Sequence, residues 1–461
     1  MISFSDKPRL DVRDMRVTVI GLGRSGFYAA QLARNQGADV FVSDANDSDL
    51  IKEYQRELVE LGISIETGAH SDRIYSSDLW ILSPGVPKNS KIVKIALKRS
   101  IYIVSEIEFT SWFTDHRIIA ITGSNGKTTT SNILYQMCQT EKVKGILAGN
   151  VGIPFAKEVL GQQSNPTENA VFILEVSSFQ LEFIHHFRPF ISIYLNISPD
   201  HLDRHESMEE YVNAKLEMIK NQLEGDYILY NGTDHYLQDS LIQQSSATAL
   251  SFCQTNSLNT LFSVNNTKII NPEHNKLILL NEIGLPGTHN LCNLIAAASA
   301  AHLIGVSNKK IADVMSSFTG IEHRLEKVGI IKGVTFVNDS KATNIDAVKV
   351  ALESFNQPII LILGGKDKGG DFSRLEPFRN RIKSILAYGD AREKITADLF
   401  SVFQIHEFNL LSDAVHESYN LAAQGDLVLL SPGCTSFDQF INFEDRGKKF
   451  KQWVEKLEGE S

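Results

Sequence analysis

The sequence predicts an α/β protein built from three consecutive strand–turn–helix segments. Short β-rich apolar runs recur along the 461 residues, several closing in a glycine or Ser-Pro-Gly turn, with helical stretches between them. The runs Val17–Leu22, Ile359–Leu363 and Leu427–Leu430 are far too short to span a bilayer and read as buried strands. A chain of this length has room for two or three domains, and neither a low-complexity linker nor a short fixed-period repeat divides it.

The first segment opens with RVTVIGLGRSGFYAAQLARNQGADVFVSDAND. It reads as strand, glycine turn, apolar-faced helix and a second strand ending at Asp44, the start of a parallel βαβ unit. Asp78–Leu82 adds a strand closed by Ser83-Pro84-Gly85, Ile92–Leu97 a helix, and Ile101–Val104 a further strand. The second segment starts near Arg117, where IIAITGSNGKTTTSNIL is strand, tight loop and helix. Ala170–Val176 is a strand carrying Glu175 near its end, and Ile191–Leu195 is another. Ser207 stands three residues before Glu210, the spacing of a helix cap. Ala247–Leu280 reads as small antiparallel strands, and alanine-rich Leu291–Leu303 as a helix. The third segment, from about Ile321, places strands at Val334–Val337, Ile359–Leu363, Ile385–Tyr388 and Leu427–Leu430, with helices between.

Composition sets limits on function. Hydrophobic residues make up 43% and charged residues 22%, which excludes a disordered or fibrous chain. A net charge of -10 gives no general attraction to nucleic acid or to an anionic membrane, though it permits a local basic pocket. The N-terminal stretch is polar and shows no secretory signal, so a cytoplasmic protein without membrane insertion is expected. Cys138, Cys253, Cys292 and Cys434 lack metal-binding spacing, and free, buried thiols are expected at all four.

The sharpest chemical signal is Gly123-Ser124-Asn125-Gly126-Lys127-Thr128, which follows an apolar strand and opens a helix. Glycines let backbone N–H groups turn in on phosphate oxygens, Lys127 adds a mobile charge, and Thr128 brings the hydroxyl expected beside Mg2+. The longer P-loop pattern is incomplete, because Ile121 holds the first glycine position. Gly21-Leu22-Gly23-Arg24-Ser25-Gly26 fits GxGxxG after a strand, and Asp44 ends the next strand near the spacing of a ribose-binding acid. A dinucleotide, a nucleotide-sugar diphosphate and a structural turn all fit this loop.

Glu175 sits at a strand end, where a carboxylate can hold Mg2+. Asp200-His201-Leu202-Asp203-Arg204-His205 also follows a strand, and its mixture suits metal and phosphate contacts. Asp339-Ser340-Lys341-Ala342-Thr343-Asn344 offers a cation for a phosphoryl group and an acid for a ribose. Lys366 and Lys368 follow the strand Ile359–Leu363 and suit a carboxylate or phosphate. Cys434, in a third strand-end turn, has no His/Asp arrangement near it and is not read as a nucleophile.

Together these loops make the sequence closely resemble the Mur ligase family of peptidoglycan synthesis over essentially the whole chain. The resemblance is carried in order by Gly123–Thr128, Glu175–Glu182, Asp200–Arg204, His289-Asn290 with Asn293, His323-Arg324 and Asp339–Asn344. The ending SPGCTSFDQFINFEDRG is similar to the D-glutamate-adding branch.

The resemblance implies three domains: a uridine-nucleotide-binding Rossmann-like domain over 1–112, a central P-loop ATPase-like domain over 113–320, and a C-terminal Rossmann-like domain over 321–461. It implies ATP and Mg2+, a UDP-N-acetylmuramoyl-L-alanine acceptor, D-glutamate as the incoming amine, and a monomer. It assigns Gly21, Leu22, Gly23, Arg24, Ser25, Asp44, Asn150 and Ser178 to the UDP-substrate, not to NAD. Gly123 to Thr129, including Thr129 itself, with Asn290, Asn293, Arg324 and Asp339, are assigned to ATP. Thr128, Glu175 and His201 are assigned to metal, joined by Lys215 if CO2 carbamylates it. Lys127, His201, Lys215 and Arg324 are implied as catalytic, and Lys341, Thr343, Lys368, Ser436 and Phe443 as the D-glutamate pocket. The alternatives are a related Mur or folylpolyglutamate-type ligase using another amino acid, a nucleotide-binding regulator without catalysis, and an NAD-dependent oxidoreductase resting on the first loop alone.

Overall fold

The computed structural model describes residues 11–459 except 151, 201–203, 206, 238–241, 243–244, 254–259, 266, 286 and 368. The chain divides into two compact units between Phe318 and Thr319. The first unit carries two α/β domains on separate parallel sheets, and the second unit carries one.

In the N-terminal domain five parallel strands lie in the order Ser64–Thr67, Asp39–Asp44, Arg16–Ile20, Leu79–Leu82, Tyr102–Ser105. The order reverses at Arg16–Ile20, so the turns after that strand and after Leu79–Leu82 frame a crevice at the strands' C-terminal ends. The helix Arg24–Asn35 buries Phe27, Ala29, Ala30, Leu32 and Ala33. It can descend that far because Gly26 has no side chain: a Cβ there would lie 2.0 Å from the Gly21 carbonyl oxygen.

The short helix Glu106–Ser111 joins this domain to the next. Its start is capped by the Ser105 hydroxyl, which accepts from the Glu108 N–H. Glu108 is fully buried, and its carboxylate accepts from the backbone N–H groups of His185, His186 and Phe187 and from Trp112 Nε1. One carboxylate thereby ties the connecting helix to a loop of the central domain. Glu106, two residues earlier, accepts from the Ala156 N–H at 3.0 Å, and burial pushes its carboxyl up to about 7.

The central domain has six parallel strands in the order Thr248–Phe252, Tyr227–Asn231, Ile191–Tyr194, Arg117–Thr122, Ala170–Glu175, Lys144–Gly149. Arg117–Thr122 is therefore interior, and the loop that follows it is flanked by the ends of two neighbours. As expected, the Ser207 hydroxyl caps the next helix by accepting from the Glu210 N–H.

Two expectations are corrected in this domain. Thr248–Phe252 is not part of an antiparallel set; it pairs in parallel with Tyr227–Asn231 at the sheet edge. Only Ser263–Val264, Lys268–Ile270 and Lys276–Leu279 form the antiparallel sheet. A five-residue strand such as Thr248–Phe252 carries no mark of its partner's direction, and the Tyr227–Asn231 strand was not anticipated. Cys253 and Cys292 are also not free thiols but form a disulfide across 39 residues, with Cα atoms 5.6 Å apart. The fold brings the end of the edge strand to the first turn of the helix Thr288–Leu303, a proximity that cysteine spacing does not encode. Cys138 and Cys434 are free and buried, as expected.

The second unit has a six-stranded sheet in the order Glu326–Ile331, Val334–Asn338, Leu427–Gly433, Ile359–Gly364, Ile382–Tyr388, Ile405–Phe408. Glu326–Ile331 is antiparallel to its neighbour, and the other pairings are parallel. The central runs Ile359–Gly364 and Leu427–Gly433 are buried throughout, which explains their continuous apolar character. Among the described residues, no helix is long and apolar enough to cross a membrane.

Candidate active site

In the first unit a cavity of about 690 Å³ lies where the N-terminal sheet reverses its order. Gly21, Gly23, Arg24, Ser25 and Asp44 line it, together with Ser83 to Pro87 and, from the central domain, Asn150 and Gln180. Leu22 is buried and contributes through its backbone: its N–H donates to Asp44, whose other oxygen accepts from the Asn46 N–H. Ser178 does not line this cavity; it is 1% exposed and bonds the His205 ring at 2.9 Å. His70, Ser83 and Gln180 line the cavity and were not anticipated as site residues. The Ser83-Pro84-Gly85 turn was legible, but not that it faces the glycine loop.

The phosphate loop stands at the end of the interior strand of the central sheet. Asn196, following the adjacent strand, braces it: the Asn125 N–H donates to the Asn196 side-chain oxygen at 2.8 Å, and the Asn196 amide donates back to the Asn125 carbonyl. The Ser124 hydroxyl donates to the Ser198 carbonyl and meets the Tyr211 hydroxyl. Gly126 has φ +88°, and a Cβ there would lie 2.6 Å from the Asn293 side-chain oxygen. Only glycine permits both that backbone turn and that approach. Asn293, on the helix Thr288–Leu303, is therefore packed against the loop, with Asn290 one turn earlier. The Lys127 ammonium donates to the carbonyls of Gly123 and Ser124, so its charge is folded over the loop. Thr129 is buried in the first turn of the helix behind it.

The Thr128 hydroxyl donates to Glu175 at 2.7 Å, and the Asn150 amide reaches the other Glu175 oxygen at 3.5 Å. Parallel pairing of Arg117–Thr122 with Ala170–Glu175 produces this contact by aligning the two strand ends. Thr128 and Glu175 offer hard oxygen donors, the kind Mg2+ takes singly or in pairs alongside substrate phosphates. Among the described residues there is no group of three His, Cys, Asp or Glu side chains that holds a metal by itself. His201 lies outside the described residues.

Lys215 is 2% exposed, with its amine 3.3 Å from both the Thr122 hydroxyl and the Gly123 carbonyl. Burial holds its pKa well below the usual lysine range; the nearby Lys127 charge adds to this, and Asp200 opposes it. The sequence presents this residue as an ordinary helical lysine. Arg204 spans from the central domain to the cavity wall, donating to the Pro84 and Val86 carbonyls and to Glu182.

In the second unit, three strand-end loops meet. The Thr435 hydroxyl donates to the Lys366 carbonyl, and the Ser340 hydroxyl donates to the Phe443 carbonyl. Lys341 lies 5.2 Å from the centre of the Phe443 ring, Thr343 is half-buried on the same loop, and Ser436 is buried. Lys368 lies outside the described residues. Asp339 is buried and accepts from the Ser431 hydroxyl and the Leu325 N–H. Burial pushes its carboxyl up to about 6, while the positive charge of Arg324 pulls the other way. Cys434 is buried and its thiol is pushed up to about 12, which suits a packing role and not a nucleophile.

Comparison with known proteins agrees with this geometry. The Mur ligase middle domain matches residues 121–301, the glutamate ligase domain of Mur ligases matches 323–434, and the MurD N-terminal domain matches 16–92. A UDP-N-acetylmuramoylalanine--D-glutamate ligase of Salinibacter ruber is 39% identical over 97% of this chain and 99% of its own. The enzyme of the same name from Koribacter versatilis is also 39% identical, over 97% of this chain and 99% of its own. In fold, the chain is similar to a crystal structure of MurF from Acinetobacter baumannii, with a TM-score of 0.61 at 15% identity, covering 96% of this chain and 93% of that one.

Proposed function

The chain belongs to the Mur ligase family as an ATP-dependent ligase that adds D-glutamate to UDP-N-acetylmuramoyl-L-alanine, and we propose how its residues divide that work. The domains are 1–112 for the UDP-linked acceptor, 113–320 for ATP, and 321–461 for the amino acid with further ATP contacts. The reaction takes place in the cytoplasm, where ATP is available.

The Thr128–Glu175 contact, beside Lys127, is the observation that carries the reading. Thr128 and Glu175 would hold Mg2+, with His201 as a further ligand, and the ion would supply positive charge to offset that on the transferring phosphoryl group. The acceptor's diphosphate lies along Gly21, Gly23, Arg24 and Ser25, its uridine near Asp44, and its far end near Asn150. The alanyl carboxylate oxygen attacks the γ-phosphorus of ATP, the bond to the bridging oxygen breaks, and ADP leaves. Lys127 and Arg324 offset the charge that grows on the phosphoryl oxygens. The nitrogen of D-glutamate, once deprotonated, attacks the acyl carbon, and inorganic phosphate departs as the amide forms. Lys341, Thr343, Lys368, Ser436 and Phe443 form the D-glutamate pocket. Asn290 and Asn293 face the adenine, and Asp339 faces the ribose.

Lys215 fits carbamylation because only a neutral amine adds CO2, and burial favours the neutral form of this amine. The product is an anion beside the phosphate loop, suited to helping place the metal.

ADP release is the direct test. Purified protein with ATP and Mg2+ turns ATP over to ADP continuously only when both the UDP-linked acceptor and D-glutamate are present, and K127A lowers turnover at least about a hundredfold, as expected for loss of a group that stabilises the transition state. Full turnover by K127A refutes the role given to that lysine, and another amino acid replacing D-glutamate at equal efficiency refutes the pocket.

A further inference from the structure

Arg204 makes contacts that binding ATP or metal does not require. One nitrogen of its guanidinium donates to the Pro84 carbonyl at 2.6 Å; the other donates to the Val86 carbonyl at 3.1 Å and to Glu182 at 2.9 Å. The cation lies 4.2 Å above the Phe179 ring, and its side chain is 15% exposed against 5% for Glu182. Pro84 and Val86 belong to the wall of the nucleotide cavity, and Gln180, next to Phe179, lines the same cavity from the central domain. One planar group therefore fastens the wall of one domain to a carboxylate and an aromatic ring of the other.

We propose that Arg204 is a positioning residue for the UDP-linked acceptor, fixing the Pro84–Val86 wall of the nucleotide cavity relative to the phosphate loop. The inference rests on reading the cavity as the acceptor's nucleotide site. An acceptor held by its diphosphate at one end reacts at a carboxylate at the other. The separation of the two anchor points decides whether that carboxylate meets the γ-phosphorus, and a misplacement of about 1 Å can cost about a hundredfold in rate. A guanidinium suits the task because its donors are fixed in one plane and can hold two carbonyls and a carboxylate together; an ammonium is a point charge without that fork. A second link, Lys88 to Glu210, joins the same loop to the helix Met208–Leu216 but is 39% and 29% exposed. Solvent screens such a pair, so it positions little.

The test compares wild type, R204A, R204K and K88A by steady-state kinetics, and measures UDP and the full acceptor by calorimetry. In R204A the acceptor KM rises at least about tenfold and kcat falls, while the ATP KM stays within about twofold, because only the acceptor spans both anchor points. UDP alone, held by the glycine loop, loses less than about threefold in affinity, far less than the full acceptor. R204K keeps the charge over Phe179 and shows the same split at smaller size, which covers the case in which R204A does not fold. K88A behaves as wild type. Acceptor and ATP KM values moving in parallel, or an unchanged acceptor KM in R204K and R204A, overturn the proposal and leave the cavity assignment intact. A wild type that turns over but binds neither UDP nor the acceptor at this cavity overturns both.

Discussion

Replacing Glu108 by glutamine changes one oxygen to an NH2 group and almost nothing in volume, yet it should be among the costliest single changes in the first unit. One Glu108 oxygen accepts from Trp112 Nε1 at 2.8 Å and from the His186 N–H at 2.9 Å. The other accepts from the N–H groups of His185 at 3.1 Å, His186 at 3.0 Å and Phe187 at 2.6 Å. An amide in either orientation turns its NH2 against at least two donors in a fully buried site. Each hydrogen bond to a charged acceptor is worth roughly 1.5–3 kcal/mol, so losing two costs roughly 3–6 kcal/mol. Urea unfolding followed by tryptophan fluorescence measures this, with Trp112 reporting locally because its ring N–H is one of the four donors. The midpoint of the first unit's transition should fall with little change in slope. A glutamine variant within about 0.5 kcal/mol of wild type, the range of an ordinary surface substitution, refutes the claim that this carboxylate holds the joint.

Three further outcomes are expected. Glu106 has its carboxyl raised to about 7, so its stabilising contribution is complete below its ordinary value near 4.5 and is lost as pH rises through about 7. The difference in unfolding free energy between wild type and E106Q should shift against wild type by about 2 kcal/mol between about pH 5.5 and 8.5, and a pH-independent difference contradicts the assignment. The Cys253–Cys292 disulfide closes a separation of 39 residues, which by chain entropy stabilises the fold by roughly 4 kcal/mol. C253S should be less stable than wild type by up to that amount until a dithiol is added, and unfolded, unreduced wild type should titrate only the thiols of Cys138 and Cys434. Finally, G126A forces alanine to φ +88° and sets a Cβ 2.6 Å from Asn293, so the ATP KM should rise at least about tenfold, from roughly 1–2 kcal/mol of backbone strain plus the clash. Adding N293A should recover the clash but not the strain, and full recovery refutes the backbone argument.

The sequence made visible what is built from consecutive residues. Gly123 to Thr128 could be read because a phosphate loop needs its glycines, lysine and hydroxyl within one turn of chain, and strand Arg117–Thr122 announced itself by its apolar run. Glu175 was legible for a similar reason, as a carboxylate at a strand end. The partners that make these residues work were not legible. Asn196 braces the loop from 71 positions away, Arg204 reaches Pro84 across 120, and Glu108 collects donors 77 to 79 residues downstream. Each is an ordinary polar residue until the fold supplies its neighbour. The disulfide and the parallel edge strand were misread for the same reason, since both are facts about pairing and not about local pattern.

Two lysines serve the phosphate loop under opposite electrostatic rules, and their difference follows from where the strands put them. Lys127 is half-buried at a helix start and rests on two backbone carbonyls of the loop. Lys215 is enclosed beneath the same loop, touching a hydroxyl and a carbonyl, and the charge on Lys127 works against a second cation there while Asp200 opposes that effect. An arginine at position 215 would keep its charge even when buried, placing two cations under one loop with one of them desolvated. A lysine can give its charge up. Burial therefore favours the neutral form of the lysine at position 215, beside a loop on whose carbonyls Lys127 already rests.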